Sequence, residues 1–235
     1  MSLTYTTYVA QVSNIMAVSS TTTQFQTMLP GMIDYAEQRI YREIDLLQTV
    51  IRNTSGALVT DVRTFSLPTN LGKFVTVQGI NVATPVGQPI ENGQRIMLDP
   101  VAREYIDAVW NSNINTGLPQ VFCMLDQETI AVGPWPDQNY QVEVIGTIRP
   151  TPLSSSNTTT FLTLYLPDLF VAASMIYASG YQRDFGSQAD NPQQSASWEM
   201  QYEKLFASAN AEELRKKFSG LGWTSYSNMP SSPVR

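Results

Sequence analysis

A chain of 235 residues with 43% apolar and only 14% charged side chains is long and greasy enough to build one large domain or two small ones around a real core, which excludes disorder for its bulk. Histidine is absent and Cys123 is the single cysteine, so intrachain disulfides, imidazole and thiolate zinc sites and every Ser/His or Cys/His nucleophile pair are excluded, and neither a metal nor a cofactor is expected. The net charge is −6, but Arg215, Lys216, Lys217 and Arg235 are the only charged residues from 215 onward; the first 214 positions hold ten basic against twenty acidic side chains, a body that repels nucleic acid.

The first Lys or Arg is Arg39, so no secretory signal is expected. Residues 161–178, the longest apolar stretch, are broken at Pro167-Asp168 and fall short of the ~20 clean residues of a membrane span; no membrane insertion is expected.

Residues 5–18 place Tyr5, Tyr8 or Val9, Val12, Ile15 and Met16 at helical steps and predict an amphipathic helix. A hydroxyl-rich break at 19–23 follows, with Thr23 or Ser20 as the N-cap of a second helix. In that helix Leu29, Ile33, Ala36, Ile40, Ile44, Leu47 and Ile51 form one stripe at a 3.6-residue period, which must be buried. Pro30 is placed near the helix start, or bends its first turn. Arg39 with Glu43, and Gln38 with Arg42, lie four apart on the other side, as a solvated face or a subunit contact.

From residue 57 the pattern turns to strands, at 59–65, 74–82 and 95–98, punctuated by Pro68-Thr69-Asn70 and by residues 85–89. Asp99 and Pro100 read as the N-cap and first turn of a helix over 101–110. Tyr105 and Trp110 suit a stacking platform, but with no basic groove beside them they read as packing for that helix on the sheet. An apolar strand after Gly117-Leu118-Pro119 turns at 126–128 into a strand at 129–132, which ends at Gly133-Pro134-Trp135-Pro136-Asp137. Residues 140–148 alternate Tyr140, Val142 and Val144 with Gln141 and Glu143, as a half-buried antiparallel strand does, and stop at Arg149-Pro150. Asp126 and Glu128 are the best carboxylate pair for an enzyme, but a short polar run between two apolar strands is a hairpin turn.

Residues 154–160 are a polar linker, and Pro167 opens a helix to about 183 whose Ala172, Ala173, Ser174, Ala178, Ser179 and Gly180 permit close approach while Phe170, Ile176 and Tyr177 fill space. After a loop at 186–192, a last helix at 195–218 puts Trp198, Tyr202, Leu205 and Ala209 on one stripe, continued by Leu214 and Phe218, and ends at Gly220. Triplets at Asn53 and Asn157 fit a glycosylation pattern but are frequent by chance, and no phosphate-binding glycine loop occurs. The expected fold is α+β: a helical bundle from the N-terminal helices (1–55) and C-terminal helices (154–219), an inserted antiparallel β-rich domain (56–153), and an extended arm (220–235).

Two segments carry a resemblance. Residues 117–150, GLPQVFCMLDQETIAVGPWPDQNYQVEVIGTIRP, and residues 29–52, LPGMIDYAEQRIYREIDLLQTVIR, resemble the adaptor proteins of tailed bacteriophages, the head-to-tail connector family. The shared features are a Gly-x-Pro strand, a Pro-x-Pro-Asp turn, a strand ending in Arg-Pro, and a long helix with an Ala-Glu-Gln-Arg-Ile centre. The resemblance implies a structural, non-enzymatic virion protein of the neck, assembled in the host cytoplasm. Its copies would form a ring of twelve joining the capsid portal protein to a tail or nozzle protein, with double-stranded DNA passing through the lumen without sequence-specific binding. Family adaptors commonly reach the portal through a C-terminal extension, which here points to Leu221, Trp223, Tyr226 and Met229, with Arg215, Lys216 and Lys217 at the root meeting acidic groups. Competing readings are another tail component, a nozzle or a carbohydrate-binding surface module, and, more distantly, a carboxylate-dependent hydrolase using Asp126 and Glu128.

Overall fold

A computed structural model describes residues 3–182 and 192–218. In chain order the first elements are α1 (Tyr5–Met16), α2 (Thr23–Glu43), β1 (Val50–Ala57), β2 (Thr64–Ser66), β3 (Phe74–Thr84), β4 (Gln94–Met97) and β5 (Asp99–Pro100). They are followed by α3 (Arg103–Val109), β6 (Thr116–Gly117), β7 (Val121–Met124), β8 (Thr129–Gly133), β9 (Trp135–Pro136), β10 (Gln141–Ile148), α4 (Phe161–Tyr165), α5 (Pro167–Gln182) and α6 (Pro192–Phe218). The fold is α+β, and the chain divides into two compact units: Met1–Leu47 with Pro152–Arg235, and Gln48–Thr151.

In the first unit one apolar core joins α1, α2, α5 and α6. α1 starts because Thr4 and Thr7 cap each other reciprocally, and it stops where Ala17 takes a left-handed conformation. α5 carries its small residues inward: Ala172, Ala173, Ser174 and Ala178 are all buried, so neighbouring helices approach closely, as their spacing predicts. Tyr8 of α1 uses that proximity, donating its hydroxyl to Ser174 Oγ at 2.9 Å, and burial drives its phenol well above the ordinary range.

α2 departs from the sequence reading at both ends. It begins six residues before Leu29, with Thr22 rather than Thr23 or Ser20 at the N-cap and no side-chain cap bond. Phe25 and Met28 extend the buried stripe backward, so Pro30 sits inside the helix, where it removes one amide donor. The helix stops at Glu43 because Ile44 turns extended. From there burial follows a two-residue period, with Ile44 and Leu46 inside and Asp45 and Leu47 outside, and Ile51 belongs to β1. The seven-position helical stripe is therefore real only from Leu29 to Ile40, with Ile44 as its cap.

α6 lies against α2 through a charged and aromatic clamp. The Arg39 guanidinium bonds Glu43 at 3.1 Å on its own helix and both carboxylate oxygens of Glu199 on α6, and stands 4.2 Å over the Tyr202 ring. Tyr202 donates to Glu43 at 2.6 Å, closing the network. Arg39 holds the Glu199 carboxyl below the usual carboxylate range. Of the face read from sequence as solvated or as a subunit contact, Arg39 and Glu43 make an intrachain helix contact, while Arg42 is exposed and bonds the Gln38 carbonyl of its own helix. On α6, Tyr202 and Ala209 are buried as predicted, but Leu214 is exposed and Glu213 takes the inward position.

The second unit holds two four-stranded sheets, ordered β1-β10-β3-β4 and β2-β8-β7-β5, and a two-stranded pair, β6-β9. The main ladders are antiparallel, as expected, but β5 runs parallel to β7 and β6 parallel to β9. Asp99 and Pro100 thus form a short strand instead of a helix start, and α3 begins at Arg103 behind Ala102. Residues 59–63, predicted as strand, are turn and irregular chain between β1 and β2, while residues 50–57 are strand and not the end of α2.

The predicted hairpin turn is present at 126–128, where the Asp126 carboxylate accepts the amides of Glu128 and Thr129, both at 2.8 Å. Val142 and Val144 of β10 face the core with Ile80 and Val82 of β3. Glu143 breaks the expected alternation, being only 2% exposed. The loop predicted at 186–192 falls outside the described residues except for Pro192, which opens α6, and the helix end at Gly220 lies outside them.

Burying Leu29, Ile33, Ile40 and Ile44 contributes roughly 6 to 12 kcal/mol gross, an upper figure because the unfolded chain is itself partly compact. Ile40→Asp, at a fully buried position, is expected to abolish soluble folding by burying an unpaired charge. Leu47→Asp, 48% exposed beyond the helix end, is expected to stay within about 0.5 kcal/mol of wild type. Soluble yield and thermal melting check both; a soluble, normally melting Ile40→Asp protein would show that this face is not core.

Candidate functional site

The residues expected to bind a partner begin on the last turn of α6. Lys216 reaches Glu212 at 2.8 Å and Glu213 at 2.7 Å, and Lys217 pairs with Asp45. Glu213, itself buried, accepts the Leu47 amide at 3.1 Å, so this turn is tied to the segment where the chain leaves the first unit. Arg215 is exposed and makes no ion pair among the described residues. Leu221, Trp223, Tyr226 and Met229 lie outside the described residues. Of the three basic side chains at the root, two are thus engaged within the chain: Lys216 by acids three and four residues back on its own helix, and Lys217 by Asp45, which is distant in sequence and which no local spacing discloses.

The chain's return is held by a second buried carboxylate. Glu37, 4% exposed on α2, accepts the Leu153 amide at 2.9 Å. The charged or titratable groups acting on it are Asp34 on its own helix and Tyr8 on α1. Desolvation pushes its carboxyl up to about 7, only partly opposed by the Leu153 hydrogen bond. Sequence reading missed this residue because a Glu beside Ala36 looks like the polar border of the stripe.

On the second unit, Glu143 pairs with Arg52 on β1 and with Arg95 on β4 at 3.4 Å, and accepts from Asn81 on β3 at 2.8 Å; Glu91 adds a pair to Arg52 at 3.6 Å. Each strand neighbour supplies a donor, so the buried charge is matched.

The carboxylates considered for hydrolysis have structural jobs. Asp126 closes its own turn, and the amide bonds it accepts hold its carboxyl below the usual range; Glu128 pairs with Lys73 at 2.6 Å. Trp110 packs over Gly133, where a Cβ would stand 2.5 Å from the indole Cε3, and the Tyr105 ring meets it edge-on at 5.8 Å. Trp110 performs the packing role read from the sequence, whereas Tyr105 is half exposed and meets only the Trp110 ring. Among the described residues no group of His, Cys, Asp and Glu is placed to hold a metal, and no helix is long and apolar enough to cross a membrane.

Compared with known families, residues 3–223 match the family model described as SU10 adaptor protein, nearly the whole chain and both segments from which the adaptor resemblance was read. No curated protein matches.

The buried glutamate gives a pH signature. With a folded pKa near 7 against an ordinary 4.5, Glu37 contributes stability that is fully present below pH 4.5 and is lost as pH rises through 7, about 3 kcal/mol in all. Depressed carboxyls such as Glu199 and Asp126 act only in more acid solution, and the chain has no histidine to titrate between. Glu37→Gln is therefore expected to flatten the fall in stability between pH 5 and pH 8, measured by urea unfolding. Parallel curves for the two proteins would refute the assignment.

Proposed function

The chain belongs to the SU10 adaptor protein family, and on that basis we propose that it is the adaptor ring of a phage neck, joining the capsid portal to the tail and prolonging the channel through which DNA leaves. Family membership carries this reading. The virion neck is its place, and the portal, a tail or nozzle protein and further copies of the chain are its partners, in a ring of twelve that matches the portal. Assembly takes place in the host cytoplasm, and the work is mechanical, not enzymatic.

The architecture we propose for this role is a helical bundle made by both ends of the chain, carrying the β-rich insert and an arm over residues 220–235. The shared core of α1, α2, α5 and α6 supports it. A ring needs one face of each subunit to meet a different face of the next, and it closes when the rotation matches the template. A surplus of carboxylates suits a lumen, because phosphate then passes without the counterion-release attraction that would hold it.

The arm is the segment we propose for portal binding. Leu221, Trp223, Tyr226 and Met229 stand among serines, glycine and prolines, too apolar for a solvated tail and too short to fold alone. Arg215 is the root residue left to meet acidic groups. Isolated protein is expected to sediment as a monomer and to assemble on adding portal. Truncation after Gly220 is expected to leave the melting temperature unchanged and abolish portal binding, with Trp223→Ala costing about 2 kcal/mol of affinity as a central anchor. A truncated chain that still binds portal would sink the arm assignment, and a stable ring from isolated protein would sink the templating.

A further inference from the structure

The outward face of α4 is apolar and open. Phe161, Leu164 and Tyr165 recur on it at helical steps, while Leu162, Thr163 and Leu166 are buried on the core side. The Phe161 and Tyr165 rings stack at 4.9 Å, and Tyr165 is 65% and Leu164 43% exposed. No charged side chain lies on α4. Lys216, on the last turn of α6, stands with its Nζ 5.5 Å over the Phe161 ring, so this ledge adjoins the turn from which residues 219–235 depart.

We propose that the ledge holds this chain's own arm before assembly, with Leu221 and Trp223 laid against Leu164 and Tyr165, and that portal binding takes the arm from it; the inference rests on the arm reading above. An extended chain spans at most about 3.5 Å per residue, which keeps Leu221 within about 11 Å of Phe218 and Trp223 within about 18 Å. The first apolar residues of the arm therefore stay close to the ledge that the last turn of α6 already touches. Gly220 and Gly222 allow the backbone to reverse at once. A tether of so few residues sets an effective concentration of about millimolar, which a separate molecule in dilute solution does not match. Laying an indole on this ledge removes apolar surface of both from water. A contact this small opens well before the core melts, so it is already open at the melting temperature, and truncation after Gly220 still leaves that temperature unchanged. At ambient temperature it withholds the arm, and the apparent affinity for portal falls to the fraction of chains whose arm is free.

Full-length chain with p-benzoylphenylalanine in place of Tyr165 tests this by photo-cross-linking in dilute solution, with and without portal. The expected product has the mass of one chain, joins α4 to a peptide from residues 219–235, and is lost when portal is added. Tyr165→Ser, at an exposed position, is expected to keep the melting temperature and to bind portal about threefold tighter, because the arm is no longer withheld. Absence of the 219–235 product from the isolated chain, cross-links to a second copy or to portal, or unchanged or weaker portal binding by Tyr165→Ser would overturn this inference and leave the arm reading standing. Failure of the wild-type chain to bind portal at all would overturn both.

Discussion

Two buried glutamates hold the chain where it leaves the first unit and where it comes back. Glu213 near the end of α6 accepts the Leu47 amide, and Glu37 in the middle of α2 accepts the Leu153 amide. A unit assembled from two separated stretches depends on such anchors, because the long excursion between them would otherwise let either end fray from the shared core. The two sites solve the cost of a buried acid differently. Glu213 is balanced by Lys216 at 2.7 Å, whereas Glu37 has no cation in reach among the described residues and meets its burial by shifting toward the protonated form. One crossing is thereby an ion-paired clasp, the other a carboxyl whose charge state follows pH.

The helical unit was legible from sequence to the extent that burial follows a single period. α5 reads correctly at Ala172, Ala173, Ser174, Ala178 and Ser179, which are all buried, but not at Gly180 and Tyr177, which are exposed, and Tyr202 and Ala209 of α6 fall where a 3.6-residue stripe puts them. α2 was overextended because its helical period runs, by coincidence, into a two-residue period: Ile44 suits both patterns, and Leu47 and Ile51 then satisfy the wrong one. Its N-cap was read to within a residue or two, at Thr23 or Ser20 against Thr22, but Pro30 was placed near the start and lies a full turn and more inside. Pro30 looks like a boundary, and only the burial of Phe25 and Met28 shows that the helix runs through it. The β unit was read as strands punctuated by turns, and the Asp126 turn and β3 came out well, but pairing direction is a long-range property, and Asp99-Pro100 keeps its helix-start signature while lying against β7.

Buried charge was the least legible feature. A polar residue in an alternating strand is read as facing water, which is how Glu143 was placed. What overrides that rule is the convergence of Arg52, Asn81 and Arg95 from three other places in the chain, and no window of sequence contains them together. Glu37, Glu213 and Arg39 share this origin, since each is made acceptable inside the protein by a backbone amide or a side chain from a distant segment. The polar groups that organise this molecule are those whose partners are far away in sequence.

The same constraint bears on the basic cluster at 215–217, which in the sequence stands alone in an acid-free stretch and invites a reading as a handle for an acidic partner. The fold gives Lys216 and Lys217 to Glu212, Glu213 and Asp45, leaving Arg215. An exposed single charge contributes little to affinity and is screened by salt. If the segment beyond Gly220 binds as proposed, its hold comes from burying Trp223 and its apolar neighbours, and the basic root serves instead to fasten α6 where the chain turns out of its own core. Affinity for such an arm would then depend weakly on ionic strength, and selectivity would reside in the shape of the pocket that takes the indole.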